Sequence, residues 1–261
     1  MVRVSRRLGG WFGASLIALA VGASAAELSR EQVARMLAQA SGERAVFDGK
    51  DLSDLDLSGL DLRGASFRKA NLFASKLVSA DLRGADLRGA NLNGAWLMGA
   101  DFTGAQLRDA SLLSVVILGG EVRKMPIFKG ANLRGTRIIA DLRGADLSGA
   151  DLGQARIGVD IRNQGMGQMR TDLTGANLSG VNLEQADLNR SLLAFANLRN
   201  CNLRGANLFR AKLAGADLTG ADVAGADFTE ADLAGTILRG ARGLEQAKGL
   251  DRAENVDKAV R

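Results

Sequence analysis

Acid–base chemistry on this 261-residue chain would have to run on carboxylates, because histidine, the commonest general base and metal ligand, does not occur. The aspartates are not arranged for that work. They recur one in every five residues, as at Asp81 and Asp86, with Asn91 next in the same slot. That period spaces carboxyl groups evenly along the chain instead of pairing two of them across a reacting bond. Nucleophilic and phosphoryl-transfer chemistry find no better footing: there is no Gly-x-Ser-x-Gly elbow, no P-loop and no cluster of cysteines. The single cysteine, Cys201, stands where alanine stands in neighbouring steps and has no internal disulfide partner. No catalytic, cofactor-binding or metal-binding residue is therefore assigned, and the chain is expected not to be an enzyme.

The elements behind this spacing follow from the apolar residues. From Leu52 to Ile117 and from Leu173 to Leu238, every fifth residue is Leu, Phe, Val or Ile, 28 positions without exception. On an α-helix a five-residue step rotates each side chain by about 140°, scattering the leucines around the cylinder. On a flat strand an odd step puts them alternately on opposite faces. A chain that makes a short extended step with Leu inward, turns a corner and repeats satisfies the pattern, and it winds an all-β solenoid. Residues 80–94 show the unit plainly as Ala-Asp-Leu-Arg-Gly, Ala-Asp-Leu-Arg-Gly, Ala-Asn-Leu-Asn-Gly. Leu fills the axis, Ala takes a small inward slot, Asp or Asn and the residue after Leu point outward, and Gly suits the corner.

With this unit iterated over residues 50–240, the chain resembles the pentapeptide repeat proteins, whose consensus is Ala-(Asp/Asn)-Leu-x-x. The resemblance implies a right-handed quadrilateral β-helix with four repeats to a coil. Counting 14 units in each array and six between them, at Leu133, Ile138, Leu142, Leu147, Leu152 and Ile157, gives 34 units or eight and a half coils.

The boundaries are legible as changes of composition. Residues 1–26 carry Arg3, Arg6 and Arg7, then the apolar run Trp11 to Val21, then Ala23-Ser24-Ala25-Ala26, the layout of a secretory signal peptide. The run is short for a bilayer, so no integral span is expected in the mature chain. Ser5-Arg6-Arg7 is similar to a twin-arginine signal, although Gly9 and Gly10 favour the general export route. Residues 27–42 read as an N-terminal capping helix, opened by the capping box Ser29-Arg30-Glu31-Gln32. Residues 43–240 are the repeat domain, with loop interruptions near 119–130 and 162–170. Residues 241–261 read as a C-terminal helical cap of one or two short helices broken near Gly249. Loss of the leader's three arginines would lower 34 basic side chains to 31 against 29 acidic ones, so the mature surface is nearly neutral.

Folding the first array at 20 residues per coil stacks outward residues into ladders. Phe73, Val78, Trp96, Met98, Leu113, Val116 and Leu118 then gather in one apolar area where the repeat elsewhere places polar side chains. Such an area is either covered by the chain itself, through the N-terminal helix or a loop of Met125, Pro126, Ile127 and Phe128, or is an interaction patch with those four as loop contacts. Arg63 stacks with Arg83, and Arg68 with Arg88 and Arg108. Aspartates on the same strands make this a self-neutralised face rather than a nucleic-acid site.

The expected function is an exported, non-enzymatic scaffold of the bacterial periplasm or cell envelope, bound to an unidentified protein partner or to itself, without nucleic acid and without cofactors. The resemblance also implies an alternative, since some family members mimic DNA and bind and protect DNA gyrase. Those proteins are cytoplasmic with acidic faces, unlike this chain.

Overall fold

Parallel pairing at a fixed interval organises the chain. In the computed structural model, which describes residues 27–40, 43–117, 124–159 and 170–261, Asp61 pairs with Asp81, Ser66 with Asp86, Asn71 with Asn91 and Lys76 with Trp96. Backbone segments 20 residues apart thus lie side by side, four pairings to a layer. Each pairing is a single bridge because only the residue before the axial Leu is extended between two neighbours. Asp101 N–H donates to Ala80 C=O (3.0 Å) below, and Leu82 N–H donates to Asp101 C=O (2.8 Å) above. Each step closes in a β-turn: Ala85 N–H donates to Leu82 C=O (3.0 Å), with Gly84 at φ 65° in the third place, a conformation that favours glycine.

The apolar steps fall inside. Leu82, Leu87 and Leu92 are wholly buried, as are Ala85 and Ala95 in the small slot, and one buried cluster runs from Val33 to Leu238. Two aromatic pairs mark the axis. Phe47 stacks on Phe67 at 5.0 Å and Phe102 on Phe128 at 4.9 Å, close to the spacing of about 4.8 Å between neighbouring strands.

Two further repeats emerge beyond the 34 read from sequence. One is centred on Phe47, whose neighbour Val46 pairs with Ser66; the other is centred on Phe128, whose neighbour Ile127 bridges Asp101 and Asp146. The expected interruption near 119–130 therefore ends earlier. Pro126, buried, occupies the small slot two residues before Phe128. Alanine there normally donates its N–H to close the preceding corner. Proline has none to give, and here it has no preceding corner to close, since it follows the interruption.

The step from Ile138 to Leu142 is one residue short, and strand β1 (Ser111–Val115) pairs with β2 (Arg137–Ala140) with a register shift between Leu113 and Val115. An apolar void of about 10 Å³ lies in the core at this slip, lined by Leu112, Val115, Phe128, Leu133, Ile138, Ala140, Leu142 and Leu147.

At one end, helix α1 (Arg30–Gln39) is capped by Ser29, with Gln32 completing the capping box, and it buries Val33 against the core. At the other, residues 241–261 form three single 3-10 turns, Leu244–Gln246, Leu250–Arg252 and Val256–Lys258. Between them Arg242, Lys248, Glu254 and Val260 pair with Asp222, Asp227, Asp232 and Ile237. This segment is a further layer built on six-residue steps, in place of the one or two short helices expected there. Residues 1–26, the expected leader, lie outside the described residues. Among those described, no helix is long and apolar enough to cross a membrane.

Candidate interaction surface

The polar positions are set by the backbone. The Asp or Asn before each axial Leu accepts a hydrogen bond from the N–H two residues on, as Asp56 does from Ser58 (3.0 Å), Asp101 from Thr103 (2.8 Å) and Asn91 from Asn93 (3.1 Å). This turn-forming role explains why the slot favours a short side chain with a carbonyl-like oxygen. Asparagines extend it between layers: Asn71 donates to Asp51 and Asn91 to Asn71, both at 3.0 Å. The periodic carboxylates are structural acceptors.

An arginine placed two residues after such an aspartate folds back on it. Arg83 pairs with Asp81 (2.5 Å) and Arg88 with Asp86 (2.7 Å), while Arg68 reaches Asp48 (2.6 Å). Asp86 is 3 % exposed and also meets Arg44 at 3.2 Å. The hydrogen bond from Arg88 outweighs desolvation and holds its carboxyl down to about 2. Asp61 is likewise lowered to about 2, chiefly by Arg63. The stacked arginines of the first array are thus neutralised by aspartates of their own or the neighbouring layer. Cys201 sits in the alanine slot, and burial pushes its thiol up to about 12.

The apolar patch is only partly gathered. Lys76, Trp96 and Val116 form one ladder, with the Lys76 ammonium 5.8 Å from the centre of the Trp96 ring. Trp96 is 37 % exposed, Phe73 48 %, and Val78, Met98, Leu113 and Val116 are half-buried. Phe73 and Leu113 do not touch across neighbouring layers, because Asn93 lies between them and its Oδ1 accepts from the Ser111 hydroxyl (2.7 Å) and from Leu113 N–H (2.9 Å). Leu118 lies outside the described residues. Of the four loop residues, Ile127 is 37 % exposed and Met125 packs partly on the core. Pro126 and Phe128 are corrected: both are buried, Phe128 on the axis, because the repeat has resumed before them. Lys124 seats on the patch's edge, its C=O accepting from Gly99 N–H at 2.7 Å.

Sequence reasoning missed a groove of about 650 Å³ on the adjoining face, lined by Leu113, Ile139, Arg137, Arg156, Asp187 and Phe209 among others. Five of its lining residues form one ladder, Arg137, Arg156, Asp187, Asn207 and Asp227. The interval along that ladder jumps from 19 to 31 residues before it returns to 20, so only knowledge of the loop lengths brings them together.

Stacked layers with an apolar axis and self-paired polar faces define a repeat scaffold whose variable part is its surface. The chain belongs to the pentapeptide repeat family: the model of pentapeptide repeats matches in 8 copies over residues 43–73, 66–104, 75–112, 140–157, 169–205 and 206–242. It is 30% identical to HetL, a pentapeptide repeat protein involved in heterocyst differentiation regulation from the cyanobacterium Nostoc sp. strain PCC 7120, over 90% of this chain and 100% of that one, with a TM-score of 0.36. It is 32% identical to the pentapeptide repeat protein Rfr23 from the cyanobacterium Cyanothece 51142, over 46% of this chain and 90% of that one, with a TM-score of 0.24. QnrB1, a plasmid-mediated fluoroquinolone resistance protein, is 19% identical over 78% and 89%, with a TM-score of 0.30. These superpositions are loose, and membership rests on the repeat. No match was found among curated proteins.

Proposed function

We propose that this chain is an exported, non-enzymatic scaffold of the bacterial cell envelope, a right-handed quadrilateral β-helix that presents an apolar patch to a protein partner or a second copy. The observation that carries this reading is Trp96. Its ladder holds Asp56 and Lys76 on one side, and on later layers past Val116 it runs through Asp172, Leu192, Lys212 and Asp232. A half-exposed tryptophan flanked by Val78, Met98 and Val116 stands on a ladder that is mostly charged, and a central aromatic commonly carries an outsized share of binding energy. The leader-like segment 1–26 supports export. The self-paired Asp–Arg faces lack the acidic excess that the gyrase-binding alternative needs.

Replacing Trp96 by Asn and Met98 by Thr, residue types the repeat uses elsewhere, is expected to abolish self-association or partner capture while moving the melting temperature little. A large fall in melting temperature would mean that the chain covers its own patch and would defeat the interaction reading. Mass measurement of protein from its native cell is expected to show an N-terminus at Ala26 or Glu27. An intact Met1 on a cytoplasmic protein would overturn export.

A further inference from the structure

Arginine is handled differently at one corner of the second array. Arg190 and Arg210 both occupy the corner position at φ 56°, the position that glycine fills most often over the repeat as a whole, and Arg190 N–H donates to Phe209 C=O at 2.8 Å, which sets the two corners in register one layer apart. Arg170, three residues before the axial Leu173 as Arg190 is before Leu193, takes the equivalent place one layer earlier. Together with Lys212, Glu230 and Glu254 these residues line a groove of about 330 Å³.

The charges there do not cancel. Arg210 pairs with Glu230 at 2.7 Å, and Lys212 with Glu254 at 3.0 Å. Those two contacts use both lining carboxylates and leave the charge of Arg190 uncompensated. Arg190 makes no ion pair among the described residues, and its Nε is buried without a hydrogen-bond partner. The other buried side-chain atom in that condition among the described residues is Oγ of the adjacent Ser191. Elsewhere the corresponding core hydroxyls are satisfied, Thr136 by Leu133 C=O (2.7 Å) and Thr236 by Leu213 C=O (2.8 Å). A buried guanidinium nitrogen without an acceptor costs free energy unless something supplies one. The planar fork of arginine matches the oxygens of phosphate, and the larger charge of a phosphate suits a guanidinium flanked by further cations.

We propose that this groove binds a phosphate-bearing ligand, held by Arg190 with Arg170 and Arg210 as flanking cations. The phosphate can belong to a soluble compound or to an anionic lipid headgroup, and the probes separate the two. The full chain is titrated with inorganic pyrophosphate by calorimetry, and separately sedimented with vesicles of phosphatidylcholine alone or with added phosphatidylglycerol. Arg190→Gly, which installs the residue most corners already use, and Arg190→Gln, which keeps the bulk, are each expected to weaken binding about tenfold or more. Arg83→Gln, on a self-neutralised strand, is expected to leave binding unchanged. Saturable pyrophosphate binding that both Arg190 variants lose supports a soluble ligand. Sedimentation that needs phosphatidylglycerol and that both variants lose supports a lipid. The proposal is overturned if the unaltered chain binds neither probe, or if the Arg190 variants bind as tightly as it does.

Discussion

In the first array, residues 52–117, arginine directly follows the axial residue, as at Arg63, Arg68, Arg83 and Arg88; in the second, residues 173–238, two arginines stand one place later, at the corners Arg190 and Arg210. That single shift changes their chemistry. A side chain two residues after Asp shares its outward face and closes on it, as Arg83 does on Asp81. A corner side chain is turned away from its own strand, and Arg190 has no such partner even though Asp187 stands three residues before it. Where the second array keeps arginine directly after the axial Leu but replaces Asp by Asn, the guanidinium reaches one layer on: Arg199 pairs with Asp217 at 2.9 Å and Arg204 with Asp222 at 3.4 Å. Position within the five-residue step decides whether a cation can close on the aspartate of its own strand, and a corner cation is neutralised only where another corner supplies a carboxylate, as Glu230 does for Arg210.

The comparison assumes one common axis under two different surfaces, and the largest expected effect tests the axis. Leu87→Ala in the first array and Leu198→Ala in the second, both wholly buried, should each cost about 2 to 5 kcal/mol in thermal or denaturant unfolding. A large disparity between them would break the equivalence of the arrays.

Next comes the buried carboxylate of Asp86, which two half-exposed arginines meet. Asp86→Ala should cost about 1 to 3 kcal/mol because it strands the Arg88 N–H and two guanidinium groups, against about 0.5 kcal/mol or less for Asp61→Ala on the open surface. Both carboxyls sit at about 2 in the folded chain, below their ordinary value near 4. Their stabilisation is therefore fully present above about pH 4 and is lost as pH falls through about 2. Melting temperatures of Asp86→Asn, which keeps the turn acceptor and removes the charge, should vary less over that window than those of the unaltered chain.

A smaller effect belongs to the corners. Gly84→Ala, at φ 65° with open space around it, should cost about 1 to 2 kcal/mol through backbone strain alone. Arg190→Gly should be neutral or stabilising, so opposite signs at two corners of one fold would sharpen the contrast. Smallest is Cys201, whose burial and raised thiol pKa predict no reaction with maleimide in the folded protein at neutral pH and full reaction after unfolding.

Much of this was legible in the sequence, for a physical reason. A five-residue apolar period leaves few backbone solutions, so the axial leucines, the alanine slot and the ladder of Lys76, Trp96 and Val116 could all be placed by counting. Counting fails where the step changes. Pro126 looked like a break, although in a small slot after an interruption it suits the repeat. Ala247, Leu250, Ala253 and Val256 are spaced by three, which fits an amphipathic helix as well as it fits two interleaved six-residue periods, and the 3-10 turns absorb the extra residue. Asn93, between Phe73 and Leu113, was readable from the same 20-residue arithmetic and divides the patch. The corner arginines were equally countable, but their lack of a partner is a matter of side-chain direction that spacing does not carry.

The short step at Ile138 to Leu142 has a consequence for how order travels along the protein. Each layer touches only the layers above and below, so cooperativity is passed along a line, with no shortcut through a shared three-dimensional core. A short step, a shifted register and a small void at the same junction between layers make that link the thinnest in the line. Amide hydrogens of residues 137–142 should exchange by local opening while Leu87 and Leu198 stay protected, and the two arrays should melt as separate blocks joined at this seam.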